Sequence, residues 1–63
     1  MNRKVTVCVY FTENRSGLFA TVRNRRGEEL FRTAVFPREK PFSEVMWPAD
    51  AWTRANGYRV VKG

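Results

Sequence analysis

The sequence contains no histidine and a single cysteine, Cys8. A structural zinc site needs about four Cys or His ligands and a disulfide needs two cysteines, so this chain alone can build neither. A Ser–His or Cys–His nucleophile pair is excluded for the same reason. The four glycines are isolated from one another, which excludes a glycine-rich phosphate loop. We therefore expect a protein that is not an enzyme and that uses no metal and no cofactor.

Long apolar segments are also missing. No run approaches the roughly 20 residues that a helix needs to span a bilayer. The apolar residues after Lys4 alternate with polar ones, unlike the core of a signal peptide. The sequence therefore predicts a cytoplasmic protein without a membrane partner. With 43% hydrophobic residues, residues 1–63 are expected to form a single small basic α+β domain with one core.

Positive charge is what the chain has in excess. Twelve Lys and Arg residues against six acids give a formal net charge of +6, and nine of the twelve are Arg. A net charge of about 2–8 is ordinary for a small soluble domain. The positions of the cations are therefore more informative than their number.

Alternating hydrophobicity predicts three β-strands. The first segment alternates strictly between apolar and polar residues, which is typical of a half-buried strand. Turn residues separate the segments, with residues 13–16 as the loop of the first hairpin and Arg26-Gly27 as the two-residue tip of the second. The prediction is a three-stranded antiparallel meander. Its strands cover about residues 3–12, 18–25 and 28–36.

The two hairpins can be checked against each other, because a shift of one residue would turn every side chain to the opposite face. With these loops, Val22 lies opposite both Val7 and Phe31. Leu18 lies opposite Val35 in the second hairpin. Both hairpins then give the same apolar face. Its predicted members are Val5, Val7, Val9, Phe11, Leu18, Ala20, Val22, Phe31 and Val35.

The opposite sheet face combines cations with aromatic residues. Tyr10 is predicted to lie opposite Phe19 in its middle. Basic side chains between exposed aromatic rings are suited to holding phosphates and contacting bases. A plain cross-strand aromatic pair beneath Arg stems fits the same residues. The candidate binding residues are Lys4, Tyr10, Phe19, Arg23, Arg25 and Arg32, and Leu30, Ala34 and Phe36 are expected on the same face.

The last third of the chain is expected to cover the apolar face. Pro48 disfavours a continuous helix and favours a helix start, while Gly57 favours a helix end. Trp52 is expected in the core, and Trp47 is expected to lie partly exposed at an edge. The predicted elements are a short helix over about 48–56 and a short C-terminal strand over 58–62.

A three-stranded sheet followed by a short helix resembles two DNA-binding layouts. One is the arm-binding domain of tyrosine recombinases, and the other is the plant-type domain that lays three strands into the major groove. This resemblance implies a small nucleic-acid-binding protein, with DNA or RNA as the partner. The cations would contact phosphates or guanine edges, and the aromatic residues would pack against the backbone or bases.

A protein partner is the alternative. The length and the order of hairpin, helix and strand are similar to small phage inhibitors of bacterial RNA polymerase, over residues 18–22 and 57–61. That resemblance implies a phage-type regulator or inhibitor of a host protein, whose Arg-rich face would meet an acidic protein surface. A homodimer formed at an exposed strand edge is a third alternative.

Overall fold

The computed structural model describes residues 3–61, and in this range five strands form one sheet with one helix packed against it. The sheet order is β3-β2-β1-β5, and β4 also pairs with β2. β5 runs parallel to β1, and the other pairs are antiparallel. The α+β class, the meander and the C-terminal strand are confirmed, although Lys62 of that predicted strand lies outside the described residues. The elements are β1 Lys4–Phe11, β2 Gly17–Asn24, β3 Glu29–Arg32, β4 Phe36–Pro37, α1 Phe42–Ala55 and β5 Arg59–Val60.

The first hairpin has the predicted register. Its four-residue loop is closed by Thr12, whose backbone N–H donates to the Gly17 carbonyl at 2.9 Å. The alternation of apolar residues on both strands fixes this pairing, because a slip would bury the polar side chains. The confirmed apolar pairs are Val7 with Val22, Val9 with Ala20, and Phe11 with Leu18.

The second hairpin turns earlier than predicted. Asn24 N–H donates to the Glu28 carbonyl at 3.0 Å, and Gly27 N–H donates to the Asn24 carbonyl at 3.0 Å. The loop is therefore Arg25, Arg26 and Gly27, not Arg26-Gly27 alone. Gly27 has a φ of +85°, a left-handed conformation that glycine adopts readily at the end of such three-residue loops. Arg25 lies in this turn, not on a strand.

A bulge follows at the start of β3. Val22 pairs with Phe31 as predicted, but Arg23 pairs with Glu29, so Leu30 is an extra residue on β3. The bulge moves two side chains to faces that simple alternation does not give them. Glu29 joins the face that carries Arg23, and Leu30 packs against the core instead of lying on the basic face.

A side-chain hydrogen bond at Thr33 splits the predicted 28–36 strand into β3 and β4. Thr33 N–H donates to the Ala20 carbonyl at 2.9 Å. Ala20 N–H donates in return to Thr33 Oγ1, also at 2.9 Å. Thr33 Oγ1 itself donates to the carbonyl of Ala34 at 2.9 Å. A hydroxyl thus replaces a backbone acceptor in the ladder, an alternative that Thr side chains offer to the backbone.

This break exchanges the expected positions of Val35 and Phe36. Leu18 pairs with Phe36 and not with Val35. Phe36 packs against the core, whereas Val35 is 62% exposed. The predictions of Val35 on the apolar face and Phe36 on the basic face are both wrong, because the register shifts by one residue after Thr33.

The helix begins at Phe42, six residues before the predicted start, and Pro48 lies inside it. Pro48 cannot donate to the carbonyl of Glu44, but Glu44 is exposed, so water can satisfy that carbonyl. Burial of one helix face outweighs the loss of this hydrogen bond. The buried residues of α1 recur every four positions and are Val45, Ala49 and Thr53.

Among the described residues, no helix is long and apolar enough to cross a bilayer.

The core lies between α1 and one face of the sheet. Trp52 is half-buried and stacks between two rings, with centroid distances of 5.2 Å to Phe31 and 5.5 Å to Tyr58. It packs against the core as predicted, whereas Trp47 is 69% exposed. The buried apolar residues are Val5, Leu18, Ala20, Val22, Val45 and Ala49.

We predict that Thr33→Val lowers the free energy of unfolding by about 1–3 kcal/mol, because the buried N–H of Ala20 loses its acceptor. Thr33→Ser keeps the hydroxyl and is the matched control. Urea denaturation followed by far-UV circular dichroism measures both. Equal stability of the Val and Ser variants would show that the Thr33 hydroxyl does not stabilise the interruption between β3 and β4.

We also predict that Trp52→Ala destabilises the protein by about 3 kcal/mol, the lower end of the usual loss for a large aromatic residue, because Trp52 is only half-buried. Trp47→Ala removes the same side chain from an exposed site and should change stability little. Thermal melts of both variants measure how much stability each substitution removes. A Trp52→Ala protein that melts like Trp47→Ala would contradict this packing.

Candidate nucleic-acid interface

The sheet face opposite α1, here called the open face, carries most of the predicted binding residues. Side chains on β1 and β2 alternate between the two faces, and the core takes Leu18, Ala20 and Val22. The intervening residues therefore point away from the helix. The cross-strand pairs on the open face are Thr6 with Arg23, Cys8 with Thr21, and Tyr10 with Phe19.

The predicted aromatic pair is present at one end of the open face. The ring centroids of Tyr10 and Phe19 are 5.8 Å apart with the planes tilted by 33°. The guanidinium carbon of Arg32 lies 4.8 Å from the Phe19 centroid, which is within cation–π range. Phe19 is half-buried, whereas Tyr10 is 40% exposed. Tyr10 is thus the more accessible ring of the pair.

Glu29 lies on the open face but is not among the predicted binding residues. Its carboxylate accepts two hydrogen bonds from Arg32, at 2.9 Å from Nη2 and 3.2 Å from Nε. Arg23 Nη2 lies 3.8 Å from the same carboxylate. The hydrogen bonds from Arg32 lower the pKa of Glu29, and the same contact raises the pKa of Arg32. One carboxylate therefore offsets part of the charge of two predicted binding residues.

A groove of about 470 Å³ lies at the other end of the open face, next to the turn between β2 and β3. It brings together three predicted cations, Lys4, Arg23 and Arg25. Arg23 Nη1 also donates to the Gly27 carbonyl at 2.8 Å, which fixes this guanidinium beside the turn. We call this site the tip groove. Its remaining lining residues are Thr6, Asn24, Gly27 and Val61.

Asn24 shapes the turn that carries Arg25. Its Oδ1 accepts hydrogen bonds from the backbone N–H groups of Arg26 at 3.0 Å and Glu28 at 2.9 Å. Its Nδ2 donates to the Glu28 carboxylate at 2.8 Å. Asn at the first position of a turn and Gly at the fourth are typical of this geometry. The segment Asn24 to Gly27 has this signal and encloses a three-residue loop, not the predicted two-residue tip.

A second cleft, of about 230 Å³, lies between the aromatic pair and Arg23. Thr21 belongs to its lining, and its Oγ1 is buried without a hydrogen-bond partner in the described part of the chain. Such groups are rare in folded proteins. Arg32 lines this cleft and not the tip groove. The six predicted binding residues therefore lie in two sites, the tip groove and this cleft, and Arg23 contributes to both.

No protein-family model, curated protein or solved structure shows a significant match to this chain. The resemblance to recombinase and plant-type DNA-binding domains rests on the order of the elements, and the resemblance to phage inhibitors rests on that order, on chain length and on residues 18–22 and 57–61.

We predict that Arg32→Gln raises the pKa of Glu29 towards the ordinary carboxyl value, because the two hydrogen bonds to its charged form are lost. The lowered folded-state pKa means that the pair stabilises the fold above the ordinary carboxyl pKa. This contribution disappears as the pH falls through the lowered value. An NMR titration of the Glu29 carboxyl carbon measures the change.

The matched control for this titration is Lys40→Gln, because Lys40 Nζ lies 3.7 Å from Glu44 on α1 and does not pair with Glu29. It should leave the pKa of Glu29 unchanged. An equal pKa of Glu29 in the wild type and in Arg32→Gln would contradict the bidentate contact.

Proposed function

We propose that this chain is a small, non-catalytic nucleic-acid-binding protein that binds through its open face. The observation that carries the proposal is the tip groove, where Lys4, Arg23 and Arg25 converge. Of residues 3–61, those that line the groove include no acidic one. Convergent cations of this kind suit a phosphate backbone, and Arg also matches phosphate oxygens with two parallel hydrogen bonds.

The charge balance of the open face supports an anionic partner even though Glu29 lies on it. Glu29 contacts both Arg23 and Arg32, so these two guanidiniums retain a net positive charge beside it. Arg25 adds to this charge at the tip groove, which Lys4 also lines. Exposed ion pairs of this kind are weak. A phosphate that approaches Arg23 can therefore compete with the carboxylate at 3.8 Å.

The exposed Tyr10 ring adds a surface on which a base can stack. Stacking of a base on an aromatic side chain contributes about 1–3 kcal/mol in single-strand complexes. Tyr10 is 40% exposed and lies on the same face as Arg23. The open face thus combines a site for a base with a site for a phosphate.

A regulator that binds a host protein is the second candidate, and a different surface favours it. Apolar side chains are exposed near the start of α1, and Trp47 is 69% exposed. Exposed apolar patches of this kind mark protein interfaces, and Trp is enriched among the residues that dominate binding. The exposed residues here are Phe42 and Trp47 on α1 and Phe11, whose ring centroid lies 6.1 Å from that of Phe42.

We predict that Arg23→Gln with Arg25→Gln weakens nucleic-acid binding and flattens its salt dependence. Two lost phosphate contacts should reduce the log–log salt slope on duplex DNA by about 1.8. Glu29→Gln should have the opposite effect on affinity, because it removes the carboxylate that competes with phosphate. Fluorescence anisotropy with labelled duplex DNA, single-stranded DNA and RNA between about 50 and 200 mM salt measures both effects.

Arg38→Gln is the control for the loss of a positive charge, since Arg38 lies in the turn after β4, away from the tip groove. It should change the binding less than either substitution at the tip. Absence of binding to all three nucleic acids at low salt would exclude the proposal. In that case, capture of a protein that is lost in Trp47→Ala would support the regulator.

A further inference from the structure

The cleft beside the aromatic pair differs from the tip groove in its lining. Its volume is about 230 Å³, and its walls include the rings of Tyr10 and Phe19 together with the side chains of Arg23 and Arg32. Of the residues that the structure describes, no acidic one lines it. The cleft therefore combines flat aromatic walls with positive charge, which suits an anionic ligand that carries a flat ring.

Tyr10 supplies the accessible ring of this cleft. It is 40% exposed, and its ring centroid lies 5.8 Å from that of Phe19. Phe19 is half-buried, and the guanidinium of Arg32 already lies over its ring at 4.8 Å. The contact with Phe19 holds the Tyr10 ring in place before a ligand arrives, so little side-chain freedom is lost on binding.

Thr21 adds a polar group to the cleft. It is 1% exposed, and its Oγ1 has no hydrogen-bond partner in the part of the chain that the structure describes. Thr21 lies between Phe19 and Arg23 on β2 and lines the same cleft. A hydroxyl can donate to a carbonyl oxygen or accept from an amino group, and the edges of nucleobases present both. The lining thus includes a hydrogen-bonding group that no described residue uses.

Arg23 connects the cleft to the tip groove, because it lines both. It lies four residues after Phe19 on β2, which is a distance of about 14 Å at 3.4 Å per residue. Arg25 follows in the turn and lines the tip groove. A nucleotide strand that places a base beside Tyr10 can therefore continue along β2 and bring its phosphates to Arg23 and Arg25.

We infer that the open face binds single-stranded nucleic acid in preference to a duplex, with one unpaired base in the cleft against Tyr10 and adjoining phosphates in the tip groove. This preference presupposes the proposed function, nucleic-acid binding at the same face. In a duplex, the neighbouring base pairs cover both faces of each base, so an internal base cannot stack on Tyr10. A duplex therefore contacts only the cations, whereas a single strand uses the cations and Tyr10 together.

Substitution of Tyr10 tests the preference. Tyr10→Ala should weaken the binding of a single-stranded DNA of about 10 nucleotides by about 5- to 150-fold, the loss expected for one stacked base. Stacking releases no counterion, so the log–log salt slope should stay the same, whereas Arg23→Gln with Arg25→Gln flattens it. Binding of the duplex of the same sequence should not change. Tyr10→Phe keeps the ring and is the matched control, which should bind the single strand like the wild type.

Fluorescence anisotropy measures these affinities, and the same strand made as RNA shows which sugar the face accepts. A loss of affinity for either single strand in Tyr10→Ala, with duplex binding unchanged, supports the inference. An equal loss for single strand and duplex, or no loss for the single strands, overturns it. The proposed function then still stands if the two Arg substitutions flatten the salt slope. Absence of binding to DNA and RNA in any form excludes both.

The wild type provides a second measurement in case Tyr10→Ala does not fold. At about 200 mM salt, where phosphate contacts are weakened, the unlabelled single strand should displace a labelled single strand at a lower concentration than the duplex does. Displacement by the duplex at the same or a lower concentration overturns the inference.

Discussion

Burial of one face of β2 beneath α1 is the constraint on which the rest of the structure depends. Leu18, Ala20 and Val22 are all fully buried, and they face Val45 and Ala49 of the helix in one apolar cluster. Among residues 3–61 there is one helix, and it packs on this face of the sheet. The cations and rings between the core positions of β2 therefore lie on the opposite face, which no described helix covers.

The sequence predicts those parts of the fold in which side-chain periodicity and burial agree. In the first hairpin, every apolar residue from Val5 to Phe11 alternates with a more polar or exposed one, so the register has a single solution. The second hairpin departs from alternation where side chains bond to the backbone. Asn24 Oδ1 accepts hydrogen bonds from two backbone N–H groups in the turn. Thr33 Oγ1 accepts one from a backbone N–H in the ladder. Such bonds depend on geometry that composition does not reveal.

The positions of the predicted binding residues follow from where alternation holds along β2 and where the bulge in β3 interrupts it. Arg23 follows the regular part of β2 and lies where the alternation predicts. The bulge opposite it brings Glu29 onto the open face, so an acid accompanies the predicted cations. The helix is also longer than predicted, because the four-residue spacing of Val45, Ala49 and Thr53 continues through Pro48. In a domain this small, burial of that stripe outweighs one missing helical hydrogen bond.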